Sequence, residues 1–250
     1  WHRSASMSIE EFLKTAPQRR DDLISKMKKE ATKADPLLLH AVYSKTQQEV
    51  QQGTMGPPRT QEYLKEKYGA HWNGCQRFGL QQGLTETGDP KYRCIDNHAT
   101  SGVNDAATRR QKIWMSNVAS IMLQSKKLEQ AIMSYKYVGE SWEVKAATRD
   151  LKSAYRQVPL PDSQIGITII LVWNPHTSEV EFHELYGQPF GAGHAVPNFY
   201  RLAAWIKTAA RRLLHINVDH FFDDFWIIEP CSTSPRFSTE YFSSGGLQKG

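Results

Sequence analysis

Three aspartates carry the chemistry that this sequence offers: Asp150, which closes the stretch WEVKAATRD, and the adjacent pair Asp223 and Asp224 inside INVDHFFDDFWIIE. Carboxylates crowded at the edge of a sheet core repel one another and resist ionisation until a cation neutralises them. Oxygen-only ligands favour a hard ion such as Mg2+, with Mn2+ as its substitute. If Asp150 and Asp223 converge, they can bridge two such ions about 3.5 to 4 Å apart, the arrangement used for in-line phosphoryl displacement. The competing reading is that Asp-Asp at a hairpin tip is solvated turn chemistry, because Asp is a favoured turn residue.

The elements that must position these acids follow from pattern. WEVKAATRD reads as a strand ending at Asp150, and INVDHFFDDFWIIE as two short apolar runs meeting in a hairpin with the acid pair at its tip. Between them GITIILVWN and EVEFHELYG form a second hairpin across the turn Pro175 to Ser178. A helix over Pro197 to Leu214 carries Leu202, Ile206, Ala209 and Leu213 as its apolar stripe, with Arg201, Lys207, Arg211 and Arg212 on the other side. Helical spacing also covers Ile113 to Met133, and His71 to Asn104 reads as short strands and turns containing a hairpin. Upstream, Ser8 with Glu11 makes a capping box, and Asp35-Pro36 makes an N-cap followed by Pro at the first helical position. GTMGPP stops the second helix, and Gln61 to Tyr68 forms a third that ends at Gly69. These N-terminal pieces read as a cover or arm.

Composition narrows the function classes. The chain has 250 residues, 40% of them hydrophobic, and a net charge of +5, which suits one large domain or two small ones and argues against disorder. The longest apolar run, IGITIILVW, is far short of the roughly 20 residues of a membrane helix. Cys75, Cys94 and Cys231 lie far apart with no CxxC, against a disulfide framework or structural zinc. HExxH, GxSxG and GxxxxGK[ST] are all missing, which disfavours zinc peptidases, serine hydrolases and P-loop hydrolases. The expected setting is intracellular, nuclear or cytoplasmic and not secreted, and the start at Trp1 suggests an excerpt of a longer product.

From about Val50 to Glu229 the sequence resembles the reverse transcriptases of retroelements, most closely those of DIRS-type and dinoflagellate-type elements. RDLKSAYRQVPL is similar to the first palm motif of that family, GQPFGAGHAVPNFYRLA to the second, and FFDDF to the third, with Phe221 where Tyr is commoner. Upstream, RFGLQQG and YRCIDNHATSGVN resemble the fingers segment, with Asn97 standing where relatives commonly carry a second acid. The fold implied is α+β, the fingers and palm of a right-hand polymerase, an antiparallel sheet backed by helices with no thumb or RNase H segment. On that reading 1–70 is a helical N-terminal extension, 71–115 and 158–194 are fingers, and 116–157 with 195–250 are palm. The tail Thr239 to Gly250 is the candidate start of a further palm motif.

The resemblance also implies roles. Asp150, Asp223 and Asp224 are the catalytic acids and hold two Mg2+, with the Leu151 carbonyl completing a metal shell. Arg93 contacts the incoming triphosphate, and Ser153 and Ala154 offer backbone N–H groups to its phosphate oxygens. Tyr155 blocks a ribose 2′-OH, favouring deoxynucleotides; without the family match it is a core aromatic. Phe190 and Gly191 open the turn before the basic helix, where Phe190 packs against the nascent pair. Arg201, Lys207, Arg211 and Arg212 are candidate phosphate contacts for template or primer, and Trp205 either stacks on a base or packs in the core. The expected activity is RNA-directed DNA polymerisation, with an RNA or DNA template, a primer and dNTPs as partners. The alternative is a catalytically inactive nucleic-acid-binding remnant of such a polymerase. The oligomeric state is open.

Overall fold

The computed structural model describes residues 4–108, 113, 115–134 and 144–230. Cys231 and the tail Thr239 to Gly250 lie outside them. The fold is α+β, and the chain forms two compact units, Trp1–Lys112 with Tyr155–Val196, and Ile113–Ala154 with Pro197–Gly250. Among the described residues no helix is long and apolar enough to cross a membrane.

The first unit is built on a five-stranded sheet in the order β1-β6-β5-β2-β3. Its strands are β1 (Met55–Arg59), β2 (Gly74–Leu84), β3 (Pro90–Asp96), β5 (Ile169–Asn174) and β6 (Glu179–Leu185). β5 and β6 are the expected hairpin, closed over a turn in which Ser178 takes φ 55°. The sheet is not wholly antiparallel as expected, because β2 and β5 pair in parallel, Gly74 opposite Ile169. Buried in the middle of a sheet, β5 reads as a continuous apolar run rather than an alternating one. Ile169, Ile170 and Leu171 are fully buried, each worth roughly 1.5–3 kcal/mol relative to exposure.

Strand β1 is a correction to the sequence reading, which took GTMGPP only as a helix stop. Proline cannot donate to a ladder and is confined to sheet edges. Pro57 and Pro58 obey that rule, since β1 is an outer strand with a register shift between Met55 and Pro58. Helices α1 (Ile9–Ala31) and α2 (Pro36–Gln51) begin at the expected caps: Ser8 accepts from the Glu11 N–H and Asp35 from the Leu37 N–H. They are integral to this unit, with Leu23 and Met27 of α1 in one core with Cys75, Ile170 and Phe182. Helix α3 (Gln61–Tyr68) buries Leu64 in the same core, and the short helices α4 (Val103–Ala106) and α6 (Asp162–Ile165) belong to this unit as well.

Under β3 lies a buried ionic network. The Arg77 guanidinium donates to Asp96 at 2.8 and 3.2 Å and to Glu49 at 3.0 Å, and Arg156 reaches the same two acids at 2.5 and 3.2 Å. Burial pushes the Asp96 carboxyl up, but Arg77 and Arg156 outweigh it and hold it well below the usual carboxylate range.

The second unit carries a three-stranded antiparallel sheet, β4-β8-β7: β4 (Val144–Asp150), β7 (Val218–Phe221) and β8 (Asp224–Pro230). β8 is the buried middle strand, while β4 is mostly exposed. Helix α5 (Val118–Ser134) and helix α7 (Ala195–Leu213) complete the described part. The apolar face of α7 differs from expectation. Phe199, Ala203 and Ala210 are buried, whereas Leu213 is 76% exposed and Leu202, Ile206 and Ala209 are only half-buried. Small alanines allow a helix to approach its support closely, so the buried face follows them rather than the bulkier leucines.

Replacing Asp96 by Ala leaves two buried guanidinium groups sharing the single carboxylate of Glu49, and breaking a buried pair from one side costs about 3–5 kcal/mol. Urea unfolding of Asp96→Ala at pH 7 is expected to show a loss of that size. The sign follows from a depressed acid: the contribution is full above about pH 4, the ordinary unfolded value, and falls away as pH drops towards the folded value. Equal stability of wild type and variant at pH 7 would contradict the network's role.

Candidate active site

The three acids meet because of strand register. β4 and β8 pair over seven positions from Val144 opposite Pro230 to Asp150 opposite Asp224. The β7–β8 ladder closes with Phe221 opposite Asp224, which leaves Phe222 and Asp223 as the turn between them. Past the last pair, the Leu151 N–H donates to the Asp223 carbonyl at 3.3 Å, tying the end of β4 to the tip of the hairpin. Asp150 and Asp224 are exposed and Asp223 half-exposed, so all three face solvent at one end of the sheet. Partial desolvation raises the Asp150 pKa, and the charges of Asp223 and Asp224 raise it further.

The neighbouring acids thus add to the cost of ionising Asp150, after the larger effect of desolvation. Among the described residues no three His, Cys, Asp or Glu side chains stand in a geometry that would hold an ion as they are. The donor set nevertheless fits a hard divalent cation: it is all oxygen, solvent-accessible, and made of acids that raise one another's cost of ionisation.

The turn itself is strained. Phe222 has φ 54°, a left-handed conformation that costs a bulky L-residue about 1–2 kcal/mol. It places Asp223 directly opposite the start of the segment after β4. That segment turns at once: the Ala154 N–H donates to the Leu151 carbonyl at 3.2 Å, and Ser153 takes φ 53°. The Ala154 N–H is therefore already used, and the Leu151 carbonyl keeps one lone pair for another partner.

Beneath the hairpin, Asp219 fastens the unit. It is buried and accepts from Ser116 Oγ (2.8 Å), Gln124 Nε2 (2.5 Å), Lys207 Nζ (3.1 Å), Arg211 Nη2 (3.4 Å) and the His220 N–H (2.8 Å). Burial pushes its carboxyl up, and the Ser116, His220 and Lys207 bonds more than reverse that, holding it below the usual range. The four basic residues read from the sequence thus divide. Lys207 and Arg211 are engaged with Asp219, and Arg211 also donates to the Val218 carbonyl; Arg201, Arg211 and Arg212 are all exposed. Trp205 is 68% exposed, so it is not packed in the core.

The first unit gathers the remaining candidates. Arg93 lies over the ring of Phe190 at 5.1 Å, and Tyr155 meets the same ring edge-on at 5.3 Å and 86°. Tyr155 is buried, while Phe190 is 42% exposed and Arg93 exposed. The loop bearing Phe190 needs its glycines. A Cβ on Gly187 would fall 2.3 Å from the Arg156 carbonyl, and Gly191 takes φ 105°. Asn104 clips that loop from both sides, donating to the Gly191 carbonyl at 3.2 Å and accepting from the Gly193 N–H at 2.7 Å. Asn97 accepts from the Thr100 N–H at 3.2 Å, a turn-making bond that an Asp would make equally well.

Sequence reasoning missed Asn104, Arg156 and Asp219. The first two sit inside the runs SGVN and RDLKSAYRQVPL, where nothing local distinguishes them. Asp219 carried a signal of its own, since it is the acid that follows a stretch whose charged side chains are all basic, Arg201 to Arg212.

Neutralising one of three neighbouring acids relieves repulsion among them. Asp150→Asn is expected to raise the melting temperature slightly in metal-free buffer at pH 7, by about 1–3 °C. Added Mg2+ is expected to stabilise the wild type and to leave the variant nearly unmoved. Equal melting temperatures, with or without Mg2+, would mean that the acids do not share a field.

No protein-family model matches the chain, and a search of curated proteins returns no match either.

Proposed function

We propose that this chain is the fingers and palm of a retroelement-type reverse transcriptase, an RNA-directed DNA polymerase. The observation that carries the reading is the register that sets Asp150 opposite Asp224 and ties Leu151 to Asp223. Acids from segments some seventy positions apart, made to converge in the open, suit the loading of divalent cations better than they suit a solvated turn. Asp150 and Asp223 would hold two Mg2+ or Mn2+, with the Leu151 carbonyl lone pair available to one of them, and Asp224 more peripheral. When bound, the ions supply activation of a primer 3′-OH and stabilisation of the pyrophosphate leaving group.

The remaining roles belong to side chains. Arg93 is a positive group held on an aromatic face, suited to the phosphates of an incoming dNTP. Tyr155, a buried ring packed on Phe190, supplies the bulk to exclude a ribose 2′-OH, and Phe190, fixed between it and Arg93, offers the exposed apolar surface. Ser153 and Gly191, both with positive φ, shape the two turns that carry these rings. Arg201 and Arg212 are the cations of α7 best placed for the phosphates of a template or primer, because Lys207 and Arg211 are held by Asp219.

Primer extension on an RNA template with dNTPs and Mg2+ is the direct test. The wild type is expected to extend, and Asp150→Ala or Asp223→Ala to lower the rate at least about a hundredfold. Extension unchanged by either substitution ends the catalytic reading, and tight template binding without any extension supports the binding-remnant reading instead. The division of the basic residues is tested separately by salt dependence. Arg201→Ala and Arg212→Ala are each expected to reduce the salt slope of template binding by about 1, with little change in stability. Lys207→Ala is expected to destabilise the protein and leave that slope nearly unchanged.

A further inference from the structure

Three elements carry the Arg93, Phe190 and Tyr155 contact, and one buried guanidinium touches all of them. Arg156 follows Tyr155 in the short helix Ala154–Gln157. Its Nη2 donates at 2.5 Å to Asp96, three residues after Arg93 at the end of the same strand. Its Nη1 donates at 3.0 Å to the carbonyl of Gln188, two residues before Phe190. Its Nε lies 3.2 Å from Glu49 of α2, which fixes the third direction. The backbone at the same position is in contact too, since the Arg156 carbonyl occupies the space that a Cβ on Gly187 would need. The Gln188 N–H then donates to the Val158 carbonyl at 2.8 Å, closing the loop onto the segment after Arg156.

We infer that Arg156 is a positioning residue that sets the mutual placement of Arg93, Tyr155 and Phe190, and through them the selection of a deoxynucleoside triphosphate. The inference rests on the polymerase reading above. Asp96 does not need Arg156 for neutralisation, because Arg77 holds it with two bonds of its own. What Arg156 adds is direction. A planar guanidinium supplies N–H groups on three sides at fixed angles, and a Lys at the same place keeps the charge but can satisfy only one or two of these partners. Loss of the Gln188 bond frees the Phe190 loop relative to Tyr155, and small displacements of groups that orient a substrate cost much of the rate or affinity they provide.

The test is Arg156→Lys, which leaves no unpaired buried acid. In single-turnover extension the apparent Kd for a dNTP is expected to rise roughly five- to tenfold and discrimination against the matching NTP to fall by a similar factor, while the rate at saturating dNTP changes less than about twofold. A purely structural role would lower the amplitude, which counts competent molecules, and leave the Kd and the discrimination alone; that result overturns the inference. If the wild type does not extend a primer, the polymerase reading fails by itself, and dTTP binding measured directly by calorimetry decides the rest. Weaker dTTP binding by Arg156→Lys upholds the positioning role, whereas equal binding, or none by the wild type, overturns it.

Discussion

Two like charges sit opposite each other at the end of the β4–β8 ladder, and backbone pairing is what keeps them there. Asp150 and Asp224 gain nothing from proximity without a cation: desolvation raises the Asp150 pKa, and the charges of Asp223 and Asp224 raise it further. The cost is met by the rest of the ladder, whose middle strand buries Phe225, Trp226, Ile227 and Ile228. β8 is buried on both faces, so the register rests on the seven paired positions from Val144 opposite Pro230 to Asp150 opposite Asp224, and that ladder is what crowds the acids. Below the tip, Asp219 draws Ser116, Gln124, Lys207 and Arg211 onto one carboxylate, so the hairpin rests on a support fixed by hydrogen bonds as well as by packing.

The first unit uses charge differently. Its buried network of two arginines and two acids is balanced, and such networks are poor sources of net stability compared with apolar packing of similar volume. Its value lies in geometry. Apolar contacts tolerate small slides, whereas fork-shaped guanidinium bonds to Asp96, Glu49 and a loop carbonyl specify angles and distances. The Arg93, Phe190 and Tyr155 contact sits on top of that frame.

Local patterns made much of this readable in the sequence. The caps at Ser8 and Asp35, the helix ending at Gly69, the β5–β6 hairpin and the strand ending at Asp150 all depend on residues close in the chain, and all appear in the structure. The misreadings have physical causes. On α7 there were two apolar faces to choose from, and bulk pointed to Leu202 and Leu213 while close approach selected Ala203 and Ala210. β1 was hidden because its prolines are unfavourable in any strand except an outer one. The parallel pairing of β2 with β5 joins residues about ninety-five positions apart, and no local signal announces it. For the acids, the sequence supplied the residue types, and convergence awaited the ladder. For Arg156 and Asn104 even the types were uninformative, because their partners, the acids Asp96 and Glu49 and a loop carbonyl for Arg156 and loop backbone groups for Asn104, are distant in the chain and brought in by the fold.

The order in which the units are threaded has a consequence for synthesis. The chain enters the first unit, leaves it after Lys112, returns at Tyr155 and leaves again after Val196. When a ribosome has delivered β2 and β3, the strand that fills the place between β2 and β6 has yet to be made, and an open apolar edge waits through more than sixty further residues. Non-local pairings of this kind are slow to form and leave strands open to intermolecular association in the meantime. A nascent chain stalled before Ile169 would thus present the unfinished side of β2 to its neighbours.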